Sequence, residues 1–298
     1  FGNAAAIGAF SAVGMGVILN SCSDNKSKVP EGLPPLLEKA PDGEPLKAGV
    51  IGCGGRGTGA AINFLSAGPN LTIGAMADMF EDRLSTSRQK LKEEMGFEIS
   101  DDKCFLGFDA YKKVLEEDVD IVILATPPFF RPEQFKAAVE ARKHVFLEKP
   151  VAVDPVGARS IIASAKKADT IGLSVVTGTQ RRHQRDYIDT YKQVYSGAIG
   201  DLVSANCYWN SGKLWHRNPR PEWTEMEYMI RDWVNWNWLS GDHIVEQHIH
   251  NIDVINWFMG KFPEKAVGFG SRQRRITGDQ YDNFSVDFVY EGDVHMHS

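Results

Sequence analysis

The segment 47–57, with the sequence KAGVIGCGGRG, constrains the fold of this chain more than any other feature. It joins a short apolar strand to a GxGxxG pattern at the start of a predicted helix. In such a unit the first glycine makes a tight turn, the second lets a pyrophosphate approach the backbone, and the third lets the helix pack closely on the strand. Free N–H groups at the helix N-terminus favour phosphate. The segment predicts a dinucleotide site with contacts from Gly52, Gly54, Gly55, Arg56 and Gly57.

A second apolar run, 71–77, ends in Asp78. At this distance from the glycines an acidic side chain accepts hydrogen bonds from the adenosine ribose hydroxyls. This context favours a dinucleotide over the alternative, a glycine-rich turn that serves backbone geometry alone. Because a carboxylate repels the 2′-phosphate of NADP, we predict NAD as the cofactor. The nearby Arg83 keeps NADP as the less favoured alternative.

The length of 298 residues allows two domains and a large core. The net charge of −6 is spread along the chain without a long basic block, which disfavours nucleic acid and anionic membrane surfaces as partners. Small neutral ligands fit this composition better.

Apolar strand-like runs alternate with helical patterns over residues 46–178. This alternation predicts an α/β domain with a doubly wound parallel sheet. The predicted strands are 48–51, 71–77, 121–125, 144–147 and 173–177, with helices at 57–67, 81–95, 110–116, 132–141 and 155–168.

Ligands bind at the carboxyl ends of the strands in such a sheet, so the residues that follow each strand are site candidates. Thr126 and Pro127 follow one strand, and Glu148 and Lys149 follow the next. We predict all four as cofactor contacts. Lys149 is also a candidate acid–base group, because a lysine amine held partly away from water can exchange a proton near neutrality. The alternative is a surface lysine that closes a loop.

Residues 179–298 have a different pattern of predicted elements. Strand patterns at 202–209, 265–274 and 283–290 surround one helix at 242–259. This predicts an α+β domain with an open, largely antiparallel sheet. A further strand pattern begins at 293–296, close to Ser298, so we expect the sheet to be truncated.

The helix predicted at 242–259 carries one polar stripe, since five side chains fall within roughly 80° of one another at helical spacing. Glu246 lies one turn from His250, an arrangement that orients an imidazole and raises its basicity. A solvated face or satisfied core hydrogen bonds are the alternatives. No HExxH spacing is present, and we predict no metal site. The stripe consists of His243, Glu246, His250, Asp253 and Trp257.

Substrate contacts are expected around the cleft at the carboxyl ends of the strands, where Lys149 lies. The charged, tryptophan-rich loop 210–238 resembles a polyol-binding wall, although tryptophans also serve core and oligomer packing. The run 180–183 follows the last strand of the first domain and faces the cleft, unless it is a solvated helix start. The predicted substrate contacts are Arg182, His183, Trp215 and Asp253.

Residues 1–45 differ in kind from the rest. An uncharged apolar stretch, 1–19, precedes Cys22, as in a bacterial lipoprotein signal whose cysteine is lipidated, and 23–45 indicate a flexible tether. We predict an exported protein, periplasmic or anchored to the envelope only through Cys22, and a cytoplasmic one if the signal interpretation is wrong.

The other three cysteines are too scattered for a disulfide framework. We expect them to be small buried hydrophobes: Cys53, Cys104 and Cys207.

Four motifs together resemble a known family: GVIGCGGRG, ATPP at 125–128, EKP at 148–150 and HNID at 250–253. The chain after residue 46 resembles the glucose–fructose oxidoreductase and inositol dehydrogenase family, Gfo/Idh/MocA. The resemblance implies a Rossmann domain, a second domain whose open sheet carries dimer or tetramer contacts, and NAD(P)-dependent redox chemistry on a sugar or cyclitol hydroxyl. It also implies that Lys149 and His250 are the acid–base pair and that the Lys149–Pro150 bond is cis.

Two departures from the family pattern stand out. Glu246 and His248 replace a usual aspartate and glycine, and Arg131 stands where a histidine is common. We treat Arg131 as peripheral.

The leading hypothesis is an NAD-dependent dehydrogenase that oxidises a ring hydroxyl of a sugar, glycoside or cyclitol, with Lys149 or the Glu246-supported His250 as base. The first alternative is an NAD-dependent glycoside hydrolase or lyase that works by transient oxidation and elimination. The second is a non-catalytic sugar-binding protein that retains NAD.

Overall fold

A computed structural model of the protein describes residues 43–298. The predicted export signal, Cys22 and all but the last residues of the tether lie outside the described residues. In the described part of the chain, no helix combines the length and apolar character needed to cross a membrane. Two separate sheets organise residues 43–298 into a first and a second domain.

The first domain is built on a six-stranded parallel sheet with the order β3-β2-β1-β4-β5-β6. The chain leaves β1 toward β2 on one side and returns to β4 on the other, so a ligand crevice opens at the carboxyl ends of β1 and β4. The strands are Leu46–Ile51 (β1), Leu71–Asp78 (β2), Cys104–Leu106 (β3), Ile121–Leu124 (β4), His144–Leu147 (β5) and Val175–Thr177 (β6). The helices are Gly55–Ser66 (α1), Glu81–Met95 (α2), Ala110–Glu116 (α3), Arg131–Glu140 (α4) and Pro155–Thr170 (α5).

This sheet confirms the predicted doubly wound architecture. Strand β3 was not predicted, because its apolar run is only three residues long and is partly buried or exposed. The core lies on both faces of the sheet, where Leu124, Phe135 and Leu147 are fully buried. Each such side chain contributes about 1.5–3 kcal/mol to folding.

The second domain contains a four-stranded sheet with the order β7-β10-β9-β8. Strand β10 pairs parallel to β7, and the other two pairings are antiparallel, which confirms an open, largely antiparallel sheet. The strands are Ser204–Asn206 (β7), Lys265–Ser271 (β8), Asn283–Tyr290 (β9) and Val294–His297 (β10). The helices are Arg185–Tyr195 (α6), Glu225–Arg231 (α7), Asn237–Ser240 (α8), Asp242–Glu246 (α9) and Ile249–Met259 (α10).

The single helix predicted at 242–259 is wrong, since the structure has two helices, α9 and α10. The backbone N–H of His248 donates to the carbonyl of His243, five residues earlier, which interrupts the α-helical ladder. The imidazole of His248 turns into the domain core, where Nε2 lies 2.6 Å from Ser298 Oγ and 3.6 Å from Cys207 Sγ. This tertiary contact overrides the local helical pattern.

Candidate active site

The glycine turn after β1 admits no side chain at two positions. Gly52 has a φ of +95°, and a Cβ there would lie 2.7 Å from the backbone nitrogen of Thr126. A Cβ on Gly57 would lie 1.7 Å from the carbonyl oxygen of Gly52. The first glycine therefore permits the turn, and the third lets α1 pack directly on the end of β1.

Gly54 and Gly55 have open space where a Cβ would be, with no atom within 4 Å, and both line a cavity of about 510 Å³. Helix α1 begins here without a side-chain cap or an acidic residue in its first turn. Its free N–H groups and positive dipole end suit a phosphate that approaches the backbone closely. The residues fit the pyrophosphate of a dinucleotide.

The cavity runs along the carboxyl ends of β1, β2 and β4. Gly57 is buried and does not line it, so its role is packing rather than contact. The predicted cofactor residues found in the lining are Gly52, Gly54, Gly55, Arg56, Asp78, Thr126 and Pro127.

Asp78 is held at the end of β2 by two backbone hydrogen bonds. Its Oδ2 accepts from the N–H of Cys53 at 2.6 Å, and its Oδ1 accepts from the N–H of Phe80 at 2.9 Å. Burial raises the pKa of Asp78, and the hydrogen bonds from Phe80 and Cys53 oppose that shift. The carboxylate is thus fixed at the cavity wall, where it can accept hydrogen bonds from ribose hydroxyls.

The second domain closes the Asp78 end of this cavity. The guanidinium of Arg231 forms a two-bond ion pair with Asp82, at 3.0 and 3.1 Å, and lies 3.8 Å from the centroid of the Phe80 ring. Trp215, which we predicted as a substrate contact, lines this cavity beside Arg217. Arg217 and Arg231 lie in the loop 210–238, which we expected to contact a polyol, and the sequence did not predict their place at this cavity, because no local motif marks it.

Lys149 and Glu246 meet across the boundary between the domains. The Nζ of Lys149 donates to the Glu246 backbone oxygen at 2.5 Å and to Glu246 Oε1 at 3.0 Å. The two side chains are 14% and 7% exposed, so the ion pair is shielded from water. The Lys149–Pro150 bond is cis.

His250 lies beside this ion pair, with its ring stacked at 5.8 Å on Trp209. Burial lowers the pKa of His250 to about 4, and the positive charges of Lys149 and Arg181 act in the same direction. The prediction that Glu246 supports His250 and raises its basicity is wrong. Glu246 instead pairs with Lys149, because the helix break places the carboxylate and the imidazole on different helices.

Two buried polar atoms in this group lack a hydrogen-bond partner among residues 43–298. They are Glu246 Oε2 and His250 Nδ1. An unpaired buried polar atom costs free energy that a bound polar group can recover. The arrangement suits a ligand that presents hydroxyl groups to both side chains.

Glu148 and Lys149 do not line the glycine-turn cavity, although we predicted them as cofactor contacts. Glu148 is buried, and its Oε1 accepts a 2.5 Å hydrogen bond from Arg56 Nε. Arg56 lines the cavity, so it links the glycine turn to the strand end that carries Lys149.

Among the other predicted substrate residues, Asp253 follows His250 on α10, and its charge opposes the lowering of the His250 pKa. Arg182 and Asp253 form a two-bond ion pair with each other at 2.8 and 2.9 Å, and His183 is exposed. A second cavity, of about 970 Å³, is lined by Trp209 and His243. Because Trp209 also stacks on His250, this cavity adjoins the active-site group.

Residues 46–177 match the family model of an oxidoreductase family with an NAD-binding Rossmann fold, and residues 187–298 match the GFO/IDH/MocA C-terminal domain. The chain belongs to the Gfo/Idh/MocA oxidoreductase family. Its first domain is an NAD-binding domain, as the fit of the glycine turn and Asp78 indicates.

Three relatives show which kinds of protein this Gfo/Idh/MocA chain is similar to. The chain is 28% identical to a myo-inositol 2-dehydrogenase of Thermotoga maritima over 76% of its length and 58% of the relative's. It is 27% identical to a 2,7-anhydro-N-acetylneuraminate hydratase of Escherichia coli over 51% of its length and 37% of the relative's. It shares its fold, with a TM-score of 0.61 and 21% identity, with a scyllo-inositol dehydrogenase of Lactobacillus casei bound to NAD(H) and scyllo-inositol, over 85% and 69% of the two chains. The chain spans less than two thirds of the length of both curated relatives.

Among residues 43–298 of this family member, no group of three or more His, Cys, Asp or Glu side chains is arranged to hold a metal ion. Cys53 and Cys207 are buried thiols and Cys104 is partly buried, which confirms them as small core residues. Arg131, which we treated as peripheral to the site, is buried at 4% exposure.

Proposed function

We propose that this chain is the catalytic part of an NAD-dependent dehydrogenase that oxidises a ring hydroxyl of a cyclitol or sugar. The observation that carries this proposal is the convergence of Lys149, Glu246 and His250, with Glu246 Oε2 and His250 Nδ1 buried and unpartnered among the described residues. A vicinal diol is a substrate of the right chemistry, because each hydroxyl can donate one hydrogen bond and accept another.

His250 is the base in this proposal. Burial lowers its pKa to about 4 and keeps the imidazole neutral at physiological pH, so a ring nitrogen can accept a hydrogen bond from the substrate hydroxyl. Lys149 forms a buried ion pair with Glu246, and its amino group can donate a hydrogen bond to the substrate oxygen and stabilise developing negative charge. The ion pair thus favours His250 over Lys149 as the proton acceptor.

When bound, NAD supplies a nicotinamide ring that accepts a hydride from the substrate carbon. The glycine turn and α1 would hold its pyrophosphate, and Asp78 would hold the adenosine ribose. Thr126 and Pro127 follow β4 and line the same cavity, and β4 neighbours β5, the strand that precedes Lys149. The protein's contribution is alignment and exclusion of water.

A cyclitol or a neutral sugar is the proposed substrate class. The names of the relatives include inositol dehydrogenases. In this chain, the apolar ring face of Trp209 stacks beside His250 and lines the second cavity, where it offers a surface for the C–H face of a sugar ring.

The test is a panel of inositols, monosaccharides and glycosides incubated with the purified chain and NAD. NADH absorbance and product mass are followed together. A ketone product that appears in step with NADH supports the dehydrogenase. Tight polyol binding without turnover across the panel would contradict it and favour the non-catalytic binding protein.

A second candidate is a lyase or hydratase that oxidises its substrate only transiently. The relative named as a hydratase favours it, since hydration involves no net redox change. The same residues would serve, because oxidation acidifies the neighbouring C–H bond for elimination. Bond cleavage or hydration without NADH accumulation, in the same panel, would identify this reaction.

We also propose assembly of two or more copies through the second domain. The support is the apolar surface around β8, where Phe262, Val267 and Phe269 are 80%, 66% and 79% exposed. An apolar surface of this kind is typical of an interface. Sedimentation of wild type and Phe269→Ser tests it, and a monomeric wild type would refute it.

Export and lipidation at Cys22 are proposed from the sequence of 1–22 alone. Cell fractionation, together with the mass of the mature N-terminal peptide, tests this. Cytoplasmic protein with an unmodified Cys22 would refute the proposal.

A further inference from the structure

Arg131 is a charged side chain buried beneath the loop that carries Lys149. It is the first residue of α4, directly after the short turn Pro128–Phe130, and it is only 4% exposed. A buried guanidinium is costly unless its donors are satisfied, so its hydrogen bonds identify what it stabilises.

The donors of Arg131 reach three backbone carbonyl groups at the ends of two neighbouring strands. Its Nε donates to the Thr126 oxygen at 2.8 Å, just after β4. Its Nη1 donates to the oxygens of Glu148 and Pro150 at 2.9 and 2.6 Å, just after β5. The last two carbonyls belong to the residues on either side of Lys149.

The charge of Arg131 belongs to the same electrostatic group as the ion pair. Burial lowers the pKa of Arg131 to about 10, while the carboxylates of Glu148 and Glu246 oppose the shift, so the side chain remains a cation at neutrality. A planar guanidinium can direct several N–H groups to fixed carbonyls, whereas a lysine ammonium is a single flexible point of charge.

We propose that Arg131 is the positioning residue for Lys149. By fixing the peptide groups on both sides of the lysine, and the end of β4 beside them, it fixes the starting point from which Nζ reaches Glu246 in the other domain. Arg131 lines neither cavity, so it acts through Lys149. The importance of this for turnover rests on the proposed function, whereas the positioning itself does not.

The test compares Arg131→Lys and Arg131→Met with wild type. Arg131→Lys keeps the positive charge but loses the planar guanidinium with its several N–H donors, and Arg131→Met loses both. Arg88→Met is the matched control, because Arg88 donates to the Ile99 carbonyl at 2.8 Å and pairs with Asp101 in the same domain. Circular dichroism confirms which variants are folded, and Arg131→Lys carries the test if Arg131→Met does not fold.

The first readout is the rate at which an amine-acylating reagent labels Lys149, measured by peptide mass spectrometry without substrate. In wild type the ammonium is 14% exposed and bound to Glu246, so labelling reports how often the pair opens. We expect labelling to accelerate about five-fold or more in both Arg131 variants, and not in Arg88→Met. Unchanged labelling in folded Arg131→Lys would overturn the proposal.

The second readout separates kcat from binding. A displacement of about 1 Å at the reacting groups costs about 100-fold in rate. We therefore expect kcat to fall by about that factor in Arg131→Lys, with the NAD Kd and substrate KM within about three-fold of wild type. Equal losses in kcat and NAD binding would indicate general damage and would refute positioning. If wild type turns over no substrate in the panel, the proposed function fails, and the labelling rates alone decide the role of Arg131.

Discussion

Different kinds of interaction shape the glycine turn and the group formed by Lys149, Glu246 and His250. The turn is local and steric, since Gly52 and Gly57 lie five residues apart and have no room for a Cβ. The acid–base group is non-local, since Lys149 and Glu246 are 97 residues apart and come from different domains. The glycine turn is therefore a property of one short segment, whereas the proposed acid–base group is a property of how two domains meet.

If the shape of the glycine turn is set by steric limits, the turn should not tolerate a side chain. Gly57→Ala would place Cβ 1.7 Å from the Gly52 oxygen, so we expect a loss of about 3 kcal/mol or more in the free energy of unfolding and no detectable NAD binding. Urea denaturation and NAD titration measure both. Gly59→Ala in the same helix is the control, because its Cβ would meet nothing closer than Arg56 Nη1 at 3.5 Å. Equal stability of the two variants would contradict the steric argument.

If the proposed acid–base group is separate from the cofactor site, a variant without Lys149 should bind NAD but should not turn over substrate. Lys149→Met removes the ammonium that pairs with Glu246, so kcat should fall about 1,000-fold while the NAD Kd stays within about three-fold. Lys143→Met is the matched control, since Lys143 is partly buried in the same domain and bonds only backbone oxygens of Glu117 and Val119. Wild-type turnover in Lys149→Met would remove Lys149 from the mechanism.

The contribution of the second domain to the cofactor site can be measured through Arg231. Arg231→Met removes the ion pair with Asp82 and the contact with Phe80, and we expect NAD to bind about ten-fold more weakly. Dissociation rates of NAD measured by stopped flow should rise by a similar factor. Arg88→Met, which breaks an ion pair within the first domain, should leave both values unchanged. If Arg231→Met binds NAD as wild type does, the cofactor site belongs to the first domain alone.

The smallest expected effect is on stability against pH. The pKa values of His248 and His250 are lowered to about 4 in the folded protein by burial, whereas unfolded histidines titrate near 6.5. The unfolded state therefore binds more protons between these values, so this contribution is present above about pH 6.5 and is lost as the pH falls toward about 4. With solvent screening we expect about 1 kcal/mol per pH unit. Urea midpoints at several pH values measure it, and His250→Gln should flatten the slope; an equal slope in that variant would contradict the assignment.

The same division explains what could be predicted from the sequence. The parallel sheet, the glycine turn and Asp78 follow from patterns within short segments, and the structure contains all of them. Strand β3 was missed because its apolar run is only three residues long.

Residues brought together by domain contact could not be predicted in this way. Arg231 and Asp82 are 149 residues apart, and no spacing rule joins them. Glu246 was assigned to His250 because a continuous helix would place them one turn apart, but the core contact of His248 breaks that helix. Arg131 lies just before the predicted helix 132–141, and only the fold shows that its guanidinium donates to the carbonyls beside Lys149.

The ion pair between Lys149 and Glu246 makes closure of the two domains a precondition for proton transfer. If the domains part, the ammonium loses its counterion and the imidazole of His250 loses its cationic neighbour. In the proposed dehydrogenase, a molecule whose domains have parted would also lack the contacts of Arg231 with Asp82 and Phe80 at the cofactor cavity. Cofactor binding and proton transfer would therefore depend on the same domain contact.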